Sequence, residues 1–506
     1  MAGPTIRLDP ADNVVVARHD IAAGTEIPEE GITALADIPA GHKLATRALR
    51  RGEPVLKYAT TIGFSGADLP PGSYLHAHNV MVDAVQKDYR FGQDYRAADL
   101  LPPGARATFD GYARADGRVG TRNTIGIFIT VNCAATVARK IAAYFDEERM
   151  EDYKNVDAVV PFIHAQGCGM EQTGEPIDLL RRTLKGYIQH PNIAGALIVG
   201  LGCERNNLER FFEATALETG TQLRSLRMQS VGGTAEAVAQ GKAMVREMLA
   251  EANRARRTPQ SAEHITVGLQ CGGSDGFSGL SANPALGRAV DRLVQNGGTA
   301  ILSETPELYG IEHTLTARAR DETVGRAFLE RIDWWLGYTD GRDVQMQGTV
   351  GPGNQAGGLA NIIEKSLGGA KKGGSTGIEA VYRYAEPVTA RGLVIMDTPG
   401  FDPVAATGQI AGGANLVCFT TGRGSCFGSY PAPTIKLASN TPMYERMRGD
   451  MDINCGAVID GTRTLDQMGD EIFAEILAVA SGRATRSEAL GVGADEFAPW
   501  PIGVTG

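Results

Sequence analysis

Four of the seven cysteines stand at or just past the carboxyl end of an apolar run of strand length: Cys133 in TVNC, Cys168 in HAQGC, Cys203 in GLGCE and Cys271 in LQCGGSDG. Thiolates are soft ligands, and a set of them brought to one place predicts metal chemistry. In open α/β sheets the ligand crevice lies outside the carboxyl ends of the strands. The four thiols are therefore expected to share one crevice although they are far apart in sequence. A single cysteine of this kind is more often structural; the repeated strand-end position with flanking glycine favours a ligand role. None belongs to a CxxC pair, which disfavours a zinc ribbon. Glu204, beside Cys203, and Glu304, just after Thr299–Leu302, add carboxylates to the same edge, where a bare helix-start charge is the plainer reading.

Glycine-rich turns supply the polar complement. In Cys271–Gly279 the amides of Gly272 and Gly273 form a candidate anion nest, with Ser274 and Asp275 as partners for hydroxyls or a metal. Arg423 in FTTGRGSCFG offers a fork that matches a carboxylate. Asn354 and Lys365 lie in PGNQAGGLANIIEKSLGG, the first suited to a hydroxyl, the second, if desolvated, to proton abstraction. His76 and His78 in YLHAHN are spaced to share one face of a strand. His164 closes a strand four residues before Cys168. There is no P-loop, nucleophile elbow, HExxH or dinucleotide fingerprint. Thiols, imidazoles, carboxylates and an arginine in a glycine-rich crevice fit a metal-assisted reaction on a small polyhydroxy acid.

The elements that must position these groups fall into three parts. With 506 residues, 43% hydrophobic and 21% charged, the chain is a multidomain globular protein. Residues 1–95 contain short apolar stretches between Gly and Pro turns and predict a small β-rich domain; 96–110 read as a linker. Beyond it, β-branched runs alternate with helix-length segments, which predicts two α/β, Rossmann-like lobes with mainly parallel sheets, 111–258 and 259–506. The break falls near RARRTPQS. A net charge of −10 without a basic stripe argues against a nucleic-acid partner. No apolar run approaches a bilayer span, and the first residues lack signal-peptide character, so a cytoplasmic location without membrane contact is expected. Reduced thiols follow from that compartment.

The motifs GYARADGRVGTRN, VNC, GLGCE, CGGSDGFSGLSANPALG, GNQAGGLANIIEKSLGG, FTTGRG and PTIKLASN, taken in order, resemble the altronate/galactarate dehydratase family. HDIAAGT, IPAGHK and GSYLHAHN resemble the SAF-type domain that opens those enzymes. The resemblance implies dehydration of an aldonic or aldaric acid to a 2-keto-3-deoxy acid with Fe(2+). A cubane iron–sulfur cluster on three of the four thiols is the rival to mononuclear iron bound by His76, His78, Glu204 or Asp275. HAHN is closer to the altronate branch, whereas HAQGC and TTGRGSCFG depart from the family pattern, which points to an unfamiliar sugar acid. Under this reading Arg423 and the Gly272–Gly273 amides hold the carboxylate, Lys365 or His164 takes the α-proton, and His76 or His78 assists the leaving hydroxyl. A homodimer is the expected assembly. A lyase acting on a carbon–sulfur bond and a non-catalytic sugar-acid binder are the alternatives.

Overall fold

The computed structural model describes residues 3–82, 88–344, 346 and 350–503. The amino-terminal module is built of short antiparallel strands. Thr5–Ile6, Val14–Ala17, Lys43–Ala45 and Tyr74–Leu75 form one sheet, and Pro54–Lys57, Thr60–Ser65 and Val80–Met81 another. Its own apolar core, around Val15, Ile27 and Leu44, is small.

The first α/β lobe is a four-stranded parallel sheet. β1 (Thr124–Ile129) lies between β2 (Ala158–Phe162) and β3 (Ile193–Gly200), with β4 (Leu223–Arg227) beyond β3. β1 is buried at all six positions because helices cover both faces, which is why it reads as a continuous apolar run. The second lobe is a seven-stranded parallel sheet of β5 (Thr266–Cys271), β6 (Thr299–Leu302), β7 (Ile378–Tyr382), β8 (Gly392–Met396), β9 (Leu416–Thr421), β10 (Thr434–Ala438) and β11 (Ile453–Asn454). The spatial order is β7-β8-β6-β5-β9-β10-β11, so β5 sits at its centre. A small antiparallel sheet joins the lobes: Thr108–Ala113 pairs with both Val119–Gly120 and Thr258–Ser261. The segment expected to be a linker thus runs into a strand at its end. None of the described helices is long and apolar enough to cross a membrane.

The two sheets present their carboxyl edges to the same side. Helix α1 (Glu175–Ile188) follows β2, and helix α2 (Asp402–Ala411) follows β8. They pack together with like ends aligned: a Cβ on Gly186 would lie 2.3 Å from the Ala411 carbonyl oxygen, while Glu175 acts electrostatically on Asp397 at the end of β8. Both helices therefore start at the same face, and so do the loops before them.

Candidate active site

The central strand β5 delivers Cys271 to the carboxyl edge, and the chain then turns through Gly272 and Gly273. Gly272 cannot carry a side chain, because a Cβ there would lie 2.4 Å from Asp402 Oδ2 and 2.5 Å from Phe419 Cζ. Gly273 has a φ of 60°, the left-handed region that glycine tolerates. The Gly272 amide, expected to bind an anion, instead donates to the Thr420 carbonyl at 3.1 Å. Among the described residues the Gly273 and Ser274 amides make no hydrogen bond, and the Ser274 hydroxyl and Arg423 guanidinium make none either. Arg423 stands over this turn, its Cβ 3.2 Å from where a Gly273 Cβ would be. Two amides, a hydroxyl and a guanidinium make a cradle for a carboxylate.

Asp275 and Asn354 hold this turn rather than extend the cradle. Asp275 Oδ1 accepts from the Ser278 amide at 2.8 Å and hydroxyl at 2.9 Å and from Ser439 Oγ at 2.8 Å, and Oδ2 accepts from Asn440 at 2.9 Å. Asn354 donates to the Ser274 carbonyl at 2.8 Å and accepts from the Gly351 amide at 3.0 Å. Their expected contacts with substrate or metal are thus taken up within the protein.

Behind the cradle lies a buried ionic cluster that the sequence reading did not assemble. Lys372 Nζ lies 2.7 Å from Cys271 Sγ and 3.3 Å from Glu304 Oε2. Cys271 Sγ lies 3.4 Å from Glu307 Oε2, and Lys365 Nζ donates to Glu307 Oε1 at 2.8 Å. Asp402, at the start of α2, completes the set beside Gly272. Three carboxyls thus face two ammoniums. Burial first, and then the charge on Glu307, pushes Glu304 up to about 8 and Asp402 up to about 7. The cluster therefore stores a proton near neutral pH. Glu304 also has a φ of 67°, and its Oε1 is buried without a partner. A strained backbone carrying an unpaired polar atom is a mark of a working site. Lys365, expected to be the base, is held as an ammonium: burial opposes its charge, but Glu307 outweighs that and raises it.

The imidazoles come from the amino-terminal module. His76 and His78 lie in the turn after Tyr74–Leu75, not on a strand, so strand alternation does not align them. Tyr74 does: its ring centroid is 5.8 Å from His76 and 5.6 Å from His78. His42, which the sequence reading overlooked, donates or accepts at Tyr74 OH at 2.7 Å and packs 4.9 Å from His76. Burial, then Lys43, lowers His76 to about 4, and its buried Nδ1 has no partner. The module sits against the cradle, since a Cβ on Gly276 would lie 2.1 Å from the Gly41 carbonyl oxygen.

Helix α3 (Ile362–Ala370) connects these parts. Glu364 faces the module and is bound by Lys43 at 2.9 Å and Lys57 at 2.8 Å, all three side chains buried. The next residue, Lys365, faces Glu307. Lys372 lies in the turn Lys371–Gly373 that follows the helix directly.

The expected crevice of four thiols divides into three and one. Cys271 belongs to the second lobe and is buried within its ionic cluster. Cys133, Cys168 and Cys203 are exposed at the ends of β1, β2 and β3 in the first lobe. Glu204 is not a free ligand there: Oε1 accepts from Thr130 Oγ1 at 2.6 Å and Oε2 from the Gly202 amide at 2.6 Å. His164 is likewise committed, with Nε2 3.0 Å from the Ile129 carbonyl and Nδ1 accepting from the Gln166 amide at 3.2 Å. Burial lowers it to about 4, so it is a neutral, structural imidazole and not the base. His164→Ala is expected to cost about 1–3 kcal/mol of stability by orphaning these groups. Thermal melts would show that loss, while kcat/KM of the folded enzyme stays unchanged.

The donor set Cys271, Glu304 and Glu307 comes within 4.8 Å, close enough for one ion. It does not fit ferrous iron as it stands, because Lys372 and Lys365 already occupy the cation positions against Cys271, Glu304 and Glu307. A cavity of about 630 Å³ lined by Arg114, His190 and Gln222 lies elsewhere, at the amino ends of β3 and β4.

Comparison with known proteins gives matches along nearly the whole chain. Residues 262–505 match the family model described as D-galactarate/Altronate dehydratase, C-terminal, and residues 111–253 that described as D-galactarate dehydratase/Altronate hydrolase, second domain. Residues 4–83 match the Altronate/galactarate dehydratase SAF domain. The chain is 34% identical to altronate dehydratase of Escherichia coli (strain K12) over 486 residues, 96% of each chain. It is 34% identical to galactarate dehydratase (L-threo-forming) of the same organism over 487 residues, 94% of this chain and 93% of that one. The beta subunit of (2R)-sulfolactate sulfo-lyase of Chromohalobacter salexigens is 30% identical over 387 residues, 76% of this chain and 95% of that one.

Proposed function

The chain belongs to the altronate/galactarate dehydratase family, and from that premise we propose that it is a hydro-lyase that dehydrates an aldonic or aldaric acid to a 2-keto-3-deoxy acid. One observation carries this reading. A carboxylate cradle and a proton-storing acid–base cluster occupy the same strand end, two residues apart.

The reaction needs three things: a held carboxylate, a base for the weakly acidic proton beside it, and an acid for the departing hydroxide. Arg423 with the Gly273 and Ser274 amides supplies the first and stabilises the charge that develops on the carboxylate as the proton leaves. Glu307, steered by its 2.8 Å pair with Lys365, is the base. Glu304, kept protonated by burial, is the acid that turns the hydroxyl into water. His76, neutral and with an unpaired nitrogen, binds a hydroxyl further along the substrate. The enol left by elimination then ketonises: the carbon that lost hydroxide takes up a proton and the enol hydroxyl gives one up.

Arg423→Ala removes a charge-assisted fork worth about 1.5–3 kcal/mol. It is expected to lower kcat/KM roughly 10- to 100-fold, with most of the loss in KM if the carboxylate is held equally in ground and transition states. Steady-state kinetics will separate the two.

The acid role sets a pH dependence. A carboxyl raised to about 8 is fully protonated below that value and loses its proton as pH rises through it. The rate is therefore expected to fall on the alkaline side from about pH 8, and Glu304→Gln should erase that limb while lowering the plateau. An unchanged alkaline limb in this variant would remove Glu304 from the role.

The reading as a whole is tested by incubating the full chain, anaerobically and with ferrous iron, with altronate, galactarate and a panel of other aldonic and aldaric acids. A 2-keto-3-deoxy product from at least one is expected. Sulfite release from sulfolactate, with no keto-deoxy acid from any sugar acid, would replace it.

A further inference from the structure

We propose that Cys133, Cys168 and Cys203 together hold a cubane iron–sulfur cluster with one iron left without a protein ligand. Their strands are neighbours in the order β2-β1-β3, so the thiols leave three adjacent strand ends, spaced about 4.8 Å from one strand to the next.

The three loops form one unit. The Asn132 amide donates to the Gln166 carbonyl at 3.1 Å, and Asn132 Nδ2 to the His164 carbonyl at 3.0 Å. The Asn206 amide donates to the Gly167 carbonyl at 3.3 Å, and Glu204 ties Thr130 to the Gly202 turn. Gly167 lies so close to the first loop that a Cβ would sit 2.1 Å from the Thr130 carbonyl oxygen. Gly167, Gly169 and Gly202, which flank two of the cysteines, have φ values of 107°, 69° and 129°. Glycine there lets the thiols stand out from the edge.

The thiols are exposed although free cysteine is among the most buried residue types. Among the described residues they take only one hydrogen bond, from Gln229 to Cys203 at 3.5 Å. Their sulfurs do not gather within the 4.8 Å that donors to a single ion require. A wide, thiol-only triad suits a polynuclear centre, and softness selects iron and sulfide. Among the described residues, Glu204 and His164 in these loops are committed to the backbone and to Thr130, which leaves neither as a fourth ligand. The edge faces the same side as the acid cluster. Resting on the dehydratase reading, an open iron there would supply Lewis acidity for a hydroxyl of the substrate.

The test is anaerobic reconstitution of the full chain with ferrous iron and sulfide, followed by iron and acid-labile sulfide analysis and visible absorption. About four iron and four sulfide per chain are expected, with a broad visible band. That band should vanish in Cys133→Ser, Cys168→Ser and Cys203→Ser, all at exposed positions that leave the melting temperature of the unreconstituted chain unchanged. It should persist in Cys426→Ser, an exposed thiol outside the three loops. Iron bound without sulfide, a disulfide among the three thiols, or a cluster that survives any one of the three substitutions overturns the proposal. Its failure is distinguishable from that of the dehydratase reading. Dehydration by cluster-free protein sinks only the cluster, and a bound cluster with no keto-deoxy product from any acid sinks only the reaction.

Discussion

Glu307→Gln is expected to lower kcat about 10²- to 10⁴-fold, the usual contribution of a positioned general base, and to change KM little. The amide keeps the shape of the carboxylate and can still accept the hydrogen bond from Lys365, now 2.8 Å away. What it loses is the ability to take a proton. Burial and then the charge on Glu307 push Glu304 up to about 8 and Asp402 up to about 7; removing that charge lowers both, so activity left in the variant is expected to come from these two carboxyls. Exchange of the substrate α-proton with deuterated water offers a second readout, since it reports proton abstraction without requiring elimination. Exchange should disappear with the carboxylate. A variant that retains exchange but not elimination would move Glu307 from base to a role in leaving-group departure.

Glu364→Gln is expected to destabilise the protein by about 3–5 kcal/mol, the range for removing one partner of a buried ion pair. Two fully buried lysines, Lys43 and Lys57, would lose their counter-charge at once. Burial alone would raise the Glu364 carboxyl, but Lys43 and Lys57 outweigh it and lower it from 4.5 to about 2. The sign follows: this stabilisation is complete above pH 4.5 and is lost as pH falls toward 2. Denaturant titrations of wild type and variant should converge across that window. The triple substitution of Lys43 to Met, Glu364 to Leu and Lys57 to Met should recover much of the loss, because an apolar trio leaves no charge bare. No recovery would show that the ions do more than satisfy one another.

How much of this was visible beforehand differs by level. Strands β1, β2, β3, β5, β6, β8 and β9 were legible because parallel strands covered on both faces carry unbroken apolar runs. β7, with half-exposed residues such as Glu379 and Tyr382, and the short β11 lack that signature. The strand-end cysteines were legible as a group, but sequence does not say which sheet a strand joins, and sheet membership separates Cys271 from Cys133, Cys168 and Cys203. The acid cluster was hidden for another reason. Glu304 and Glu307 in SETPELYG and Lys372 in KKGG have the composition of ordinary surface turns. Only their mutual burial makes them reactive, and burial of a charge depends on partners contributed by distant segments. His164 and Glu204 differ in the opposite sense: at a strand end they read as a candidate base and a candidate metal ligand, whereas here both fasten loops.

The Lys43–Glu364–Lys57 contact has a consequence for how the chain is checked as it assembles. Lys43 and Lys57 come from different sheets of the module and meet one carboxylate on α3. A slip of one residue in the strand holding Lys43 would present Leu44 or His42 in its place and strand a charge in a water-free seam. Misregistered docking is thus rejected by a penalty, while correct docking satisfies all three groups together. Lys365, the next residue along, reaches Glu307 only when α3 is seated. The seam acts as a proofreader whose approval is passed to the neighbouring residue, so the acid–base machinery is completed only in a correctly assembled molecule.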